Sequence, residues 1–203
     1  MTPKLGMGPI RRNQVMQAAK HCILKQGIAH FTIKDVSKQA NISTGVIYHY
    51  FTNKQQLLVY VLKEAFQESE ESVRTAVASE QGYEAKFSEY LKAVSRVPEE
   101  NPEFYLVLLN YMAQAPYNED VKEIINRFLS NLEQFIEEIL AEGISSGKLN
   151  PQRVPVLAHL ILSQAMGIAF QQVVVPPANQ RQIQEEFVRM FQKQLDSSSG
   201  FSL

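Results

Sequence analysis

Thr44, Gly45, Tyr48 and His49 fall on one side of a short helical pattern and bring hydroxyls, an imidazole and bare backbone together, with no carboxylate among them. Such groups suit the edges of DNA bases: the Thr44 methyl can touch a thymine methyl, and Gly45 lets the backbone come close. The Tyr48 and Tyr50 hydroxyls and the Lys54 ammonium suit phosphate oxygens, which position a helix without reading sequence. His49 suits a base or a phosphate. Catalysis has no comparable grouping. His21, His30, His49 and His159 form no H-x-x-x-H or H-E-x-x-H pair, and neighbouring His21 and Cys22 point to different sides of a helix. Neither a glycine-rich phosphate cradle nor a G-x-S-x-G elbow occurs. No catalytic residue, metal ligand or cofactor is expected, and the chain does not read as an enzyme.

Two short helices joined by a tight turn must position these groups. Thr32 is a good N-cap for the first, because its hydroxyl can accept from an orphan backbone N–H. Asp35 then sits in the first turn, where its charge suits the helix dipole. Ile33, Val36 and Ala40 recur at helical spacing and supply an apolar side. Asn41, Ile42 and Ser43 break the helix, with Asn tolerant of turn geometry and Ile42 free to plug inward. Ser43 or Thr44 caps a second helix over Gly45 to Tyr50, anchored from beneath by Val46, Ile47 and Tyr50. In a helix–turn–helix the second helix enters the DNA major groove with its N-terminal residues against base edges.

The run T-I-K-D-V-S-K-Q-A-N-I-S-T-G-V-I-Y-H-Y-F-T-N-K-Q-Q-L-L, Thr32 to Leu58, resembles the DNA-binding signature of TetR-family transcriptional repressors. In that signature an apolar residue and Thr open the second helix, and Y-x-Y-F-x-x-K-x-x-L closes the third and opens the fourth. The resemblance implies a three-helix DNA-binding domain, a helical ligand-binding and dimerisation domain, and repression relieved by a small molecule. The arm K-L-G-M-x-x-I-R-R-x-Q is similar to that of the branch regulating choline and betaine metabolism; no ligand is carried across from it. The DNA-facing set is then Lys4, Arg11, Arg12, Thr32, Ser43, Thr44, Gly45, Tyr48, His49, Tyr50 and Lys54.

Charge distribution agrees. The chain has 203 residues and a net charge of −1, but residues 1–54 hold eight basic residues against Asp35 alone. A basic segment beside an acidic body points to a polyanionic partner, double-stranded DNA. Cys22 is the only cysteine, so no intrachain disulfide or thiolate cluster exists. No signal peptide is visible, and no window reaches the roughly 18 uninterrupted apolar residues of a membrane span. A cytoplasmic protein with no membrane partner is expected.

Everything reads all-α, about nine helices, with residues 1–54 as the helix–turn–helix domain, 55–196 as the ligand-binding and dimerisation domain, and 197–203 as a disordered tail. An arm, Met1 to Pro9, precedes helix 1 over Ile10 to Gln26, which Gly27 ends. Asn53 caps helix 4, the lever that in the family carries ligand binding to the DNA heads. Helix 5 is stopped by Pro98 and Pro102, helix 6 spans Glu103 to Ala115 and is apolar nearly all round, and helix 7 spans Asn118 to Ser146. Helices 8 and 9 follow, separated by Pro176 and Pro177. Phe66, Phe104, Leu108, Tyr111, Met112, Phe128, Phe135, Met166 and Phe170 are candidates to line a cavity for an apolar or cationic inducer. A Tyr-rich lining accepts a quaternary ammonium by cation–π attraction. Leu157, Leu160, Ile161, Ile168, Phe187 and Phe191 are candidates for a homodimer interface; in the family the last two helices pair with their copies. The competing reading is a helical small-molecule-binding or adaptor protein without sequence-specific DNA binding.

Overall fold

The computed structural model describes residues 7–196, all of whose regular structure is helical. Helix α1 (Met7–Gln26) starts earlier than the glycines and Pro9 suggest. Pro9 lies in its first turn, where a missing N–H costs nothing because that donor has no intrahelical acceptor. Gly27, at φ 76°, ends α1 and donates its N–H to the Ile23 carbonyl at 2.8 Å. Lys4 and the tail 197–203 lie outside the described residues.

Helices α2 (Ile33–Ala40) and α3 (Thr44–Tyr50) follow, then α4 (Lys54–Ala78), capped by Asn53, whose Oδ1 accepts from Gln56 N at 2.8 Å. Among the described residues, one compact unit contains those up to 67 together with 106–125, and the other contains 68–105 and those from 126 onward. The chain thus partitions differently from a single cut at residue 54, because the end of α6 (Pro102–Met112) belongs with the first helices. Tyr111 donates its buried hydroxyl to the Leu58 carbonyl, and Asn110 Oδ1 accepts from Ile28 N at 3.4 Å. The core of this unit holds Val15, Ala19, Ile23, Val36, Ile47, Leu57 and Leu62 from α1 to α4, with Phe31 and Phe51 from the connections between them.

In the second unit α5 (Tyr83–Glu100) runs through Pro98 instead of stopping there. The proline falls in the last turn, so only one helical bond is forfeited, and Asn101 N closes the end on the Val97 carbonyl at 2.8 Å. A 3₁₀ turn (Ala115–Tyr117) leads to α7 (Glu119–Ser145), and α8 (Val154–Val174) and α9 (Gln180–Asp196) complete the chain. By length and composition α8 is apolar enough to cross a bilayer. Its Val154, Ala158, Ile161, Leu162, Ala165 and Ala169 are nevertheless buried, and the helix packs on α5 and α9. On α6, Phe104, Tyr105, Val107, Leu108 and Tyr111 are buried while Leu106, Leu109 and Met112 stand partly exposed. That helix has an outer face after all.

Gly143 on α7 has no room for a side chain. A Cβ there would lie 2.6 Å from Leu149 Cδ1, 2.9 Å from Leu149 Cγ and 2.9 Å from Tyr83 Cε2. Gly143→Ala is expected to lower stability by about 1–2 kcal/mol in urea unfolding, since overpacking two buried neighbours outweighs the roughly 1 kcal/mol gained in helix propensity. An unchanged midpoint would mean that Leu149 and Tyr83 can yield.

Candidate nucleic-acid interface

The head is built by caps before it is built by core. Thr32 N donates to Asp35 Oδ2 at 2.8 Å, the Thr32 hydroxyl donates to the same oxygen at 2.7 Å, and Asp35 N donates back to Thr32 Oγ1 at 3.3 Å. This closed capping box satisfies two orphan donors at once. The bonds from Thr32 hold the Asp35 carboxyl below its ordinary pKa. They also occupy the Thr32 hydroxyl, whose work is the start of α2.

Asn41 ends α2 in the left-handed region at φ 52°, ψ 45°. Ile42 N then returns to the Ser37 carbonyl at 3.1 Å and Ser37 Oγ donates to the Ile42 carbonyl at 2.6 Å, with the Ile42 side chain buried. Ser43, not Thr44, is the cap of α3: its Oγ accepts from Val46 N at 3.4 Å. Ile47 is the one fully buried side chain of α3; Val46 and Tyr50 are only half-buried.

The opposite side of α3 stands open. Tyr48 is 53 % exposed, His49 and Gly45 are exposed, and Thr44 is half-buried beside them. A Cβ on Gly45 would meet only Ser43 Oγ, at 3.9 Å. The chain itself therefore leaves open space over Gly45. Tyr50 differs from Tyr48: its hydroxyl lies toward α1, 4.0 Å from where a Cβ on Gly8 would be, and its ring meets His49 edge-on at 5.1 Å.

Two of the expected phosphate-facing cations are engaged inside the head. The Arg12 guanidinium lies 4.2 Å from the centre of the Tyr60 ring and 5.8 Å from that of Phe51. Lys54 Nζ donates to the carbonyls of Ile28 and Phe31 at 2.8 and 2.6 Å. Arg11 is half-buried on α1. Lys34 and Lys38, one turn apart on α2, are exposed on the helix that crosses the backbone in a docked helix–turn–helix. They entered the charge count but not the expected site, although their i, i+4 spacing away from Ile33, Val36 and Ala40 was readable.

The expected cavity residues divide between the two units. Phe66, Leu108 and Tyr111 are buried in the first, and Met112 is 37 % exposed. In the second, aromatic rings meet in edge-on pairs: Tyr90 with Phe135 at 5.9 Å, Phe104 with Phe128 at 6.0 Å, and Tyr105 with Phe170 at 5.9 Å. Met166 is half-buried on α8. The Tyr90 hydroxyl is buried without a hydrogen-bond partner, and burial raises its pKa further above the ordinary phenol value. A cavity of about 610 Å³ lies elsewhere, between the start of α8 and the end of α9, where Leu157, Leu160 and Phe191 line it. Among the expected interface residues, Ile161, Phe187 and Phe191 are buried within the chain, Leu157 and Ile168 are half-buried, and Leu160 is exposed. Val156, Val174, Val175 and Met190 are exposed apolar residues of the same helices and the loop after α8. Among the described residues, no three His, Cys, Asp or Glu side chains group as metal ligands.

Residues 15–61 match the family model of bacterial regulatory proteins, tetR family. The HTH-type transcriptional regulator BetI of Agrobacterium fabrum is 27 % identical over 134 residues, covering 64 % of this chain and 65 % of the relative. BetI of Paraburkholderia phytofirmans is 41 % identical over 80 residues, 37 % of this chain and 41 % of its own. The chain thus spans less than two thirds of the length of these curated relatives. A TetR transcription regulator from Haloarcula marismortui superposes with a TM-score of 0.80 at 19 % identity, over 94 % of this chain and 98 % of that one. The regulator FadR from Bacillus subtilis, in complex with stearoyl-CoA, gives a TM-score of 0.73 at 20 % identity, over 94 % and 99 %. Residues 15–61 thus carry a tetR-family DNA-binding region, the chain is alike in fold to TetR regulators through most of its length, and its likeness in sequence runs to the BetI regulators.

Proposed function

We propose that the protein is a ligand-responsive transcriptional regulator, a repressor that binds a palindromic operator as a homodimer in the cytoplasm and is released by a small molecule. The observation that carries this reading is the face of exposed Gly45, Tyr48 and His49, with half-buried Thr44 beside them, on a helix fixed from beneath by Ile47 and at its start by Ser43. A rigid helix with an unengaged polar face is what base-edge recognition requires. Residues 1–54 act as the head and 55–196 as the ligand-binding and dimerisation part. Because α4 contributes residues to both compact units, a ligand that favours one setting of α4 would change the spacing of two heads.

The edge-on rings around Tyr90, Tyr105 and Phe135 support an apolar or cationic inducer. The FadR structure of like fold holds stearoyl-CoA, a ligand with a long apolar chain. Among the described residues of this unit, the buried Tyr90 hydroxyl and Gln172 Oε1 have no hydrogen-bond partner, and Tyr90 offers a polar handle among the rings. Tyr90→Phe is expected to raise stability by about 1 kcal/mol, because a buried hydroxyl without a partner costs on that order. A fall in stability on urea unfolding would mean that the hydroxyl is satisfied in the native protein.

Selection of bound duplexes from a random DNA pool tests the function. Enrichment of an inverted repeat supports a dimeric regulator. Absence of enrichment at low salt, with folded protein, would favour a ligand-binding or adaptor role.

A further inference from the structure

Lys54 opens α4 at the place where the motif puts a cation for phosphate, yet the structure directs its protons inward. Nζ donates to the Ile28 carbonyl at 2.8 Å and the Phe31 carbonyl at 2.6 Å, and it stands 4.2 Å from the centre of the Phe31 ring. Both carbonyls belong to the loop between α1 and α2, whose polar groups have no helical partner and need one from elsewhere. The same loop is held on its other side, where Ile28 N donates to Asn110. Its Ile28 and Phe31 side chains are buried. The Lys54 side chain is half-buried, and its desolvation lowers the ammonium pKa against the opposing pull of Asp35.

We propose that Lys54 is a positioning residue: it locks the first turn of α4 to the loop that launches α2, and so fixes the angle at which α2 and α3 meet DNA. It rests on the DNA-binding reading above but assigns this lysine a different task from the one its motif suggests. Two carbonyls and a ring satisfy the ammonium in the free protein, so a phosphate would have to displace bonds that hold the head together. The phosphate grip then falls to the exposed cations of α2, Lys34 and Lys38.

Salt dependence separates the two tasks. Each phosphate contact removed lowers the slope of log affinity against log salt by about 0.9. Lys54→Met is expected to weaken binding to the selected operator by roughly tenfold or more, with an unchanged slope and unchanged affinity for random duplex. Lys34→Gln, measured beside it, is expected to lower the slope by about 0.9 on both DNAs. A Lys54→Met slope lower by that amount, or an unchanged operator affinity, overturns the proposal. Lysine methylation of the wild-type protein without DNA gives a second arm that needs neither a folded variant nor an operator. Lys54 is expected to stay unmodified while Lys34 and Lys38 react; equal reaction of all three overturns the latch. If no duplex binds the wild type, the regulator reading fails, and the methylation result still decides whether Lys54 is held.

Discussion

Tyr48→Ala is expected to lower affinity for the selected operator by roughly 5- to 150-fold, the scale of about 1–3 kcal/mol for a lost recognition contact. Stability should change by no more than about 0.5 kcal/mol, as for an exposed surface residue. The separation of the two effects follows from how α3 is held. Its fixed points are Ser43 at the N-terminus and Ile47 beneath, and Tyr48 is 53 % exposed. Truncating it therefore removes a surface without loosening the helix. Ile47→Ala makes the contrasting case: deleting a fully buried side chain costs about 2–5 kcal/mol and would abolish binding by melting the head. Quantitative binding to operator and random duplex, with urea unfolding of the same samples, tells these apart. Equal operator affinity for Tyr48→Ala and the wild type would remove the exposed face of α3 from the reading head.

Local chemistry explains which parts of this design were legible from the residues alone. The Thr32 cap, the Asn41 turn and a cap at Ser43 or Thr44 are interactions over three to five residues and are readable from the residues; the structure adds the return bond from Asp35 and selects Ser43. The start of α1 escapes the sequence reading because a proline in the first turn forfeits no bond, and the passage of α5 through Pro98 because a single bond lost in the last turn is tolerated. Arg12 and Lys54 show a different limit. A cation in a basic segment reads as phosphate-facing, but an ammonium is equally satisfied by two carbonyls or a ring, and only the tertiary arrangement decides. The body was harder still. Helix α8 is apolar on both sides, so periodicity could not distinguish Ile161, which is buried, from Leu160, which is exposed. Phe187 and Phe191 were assigned to a partner, yet they pack edge-on at 5.3 Å and are buried within the chain.

If the proposed homodimer forms through α8 and α9, Leu160→Glu is expected to convert it to monomer, raising the dissociation constant by about a hundredfold or more, the effect of losing an apolar anchor. Leu160 is 54 % exposed and Val156, one turn earlier, is 60 % exposed, and with Met190 of α9 they leave apolar surface beside the cavity on this face. Ser163 and Gly167 continue the open side of α8 and would allow a second helix close approach. A two-fold interface repeats every substitution, so one glutamate places two like charges near the axis. Because Leu160 packs little within its own chain, the monomer fold should survive. Phe191→Ala, by contrast, empties a buried site and should cost about 3–5 kcal/mol of stability. Sedimentation at micromolar concentration reads the association state directly. Operator affinity should fall with it, since the second head binds at high effective concentration only while the two are joined. A wild-type monomer under those conditions, or a Leu160→Glu dimer as tight as the wild type, would place the partner surface elsewhere.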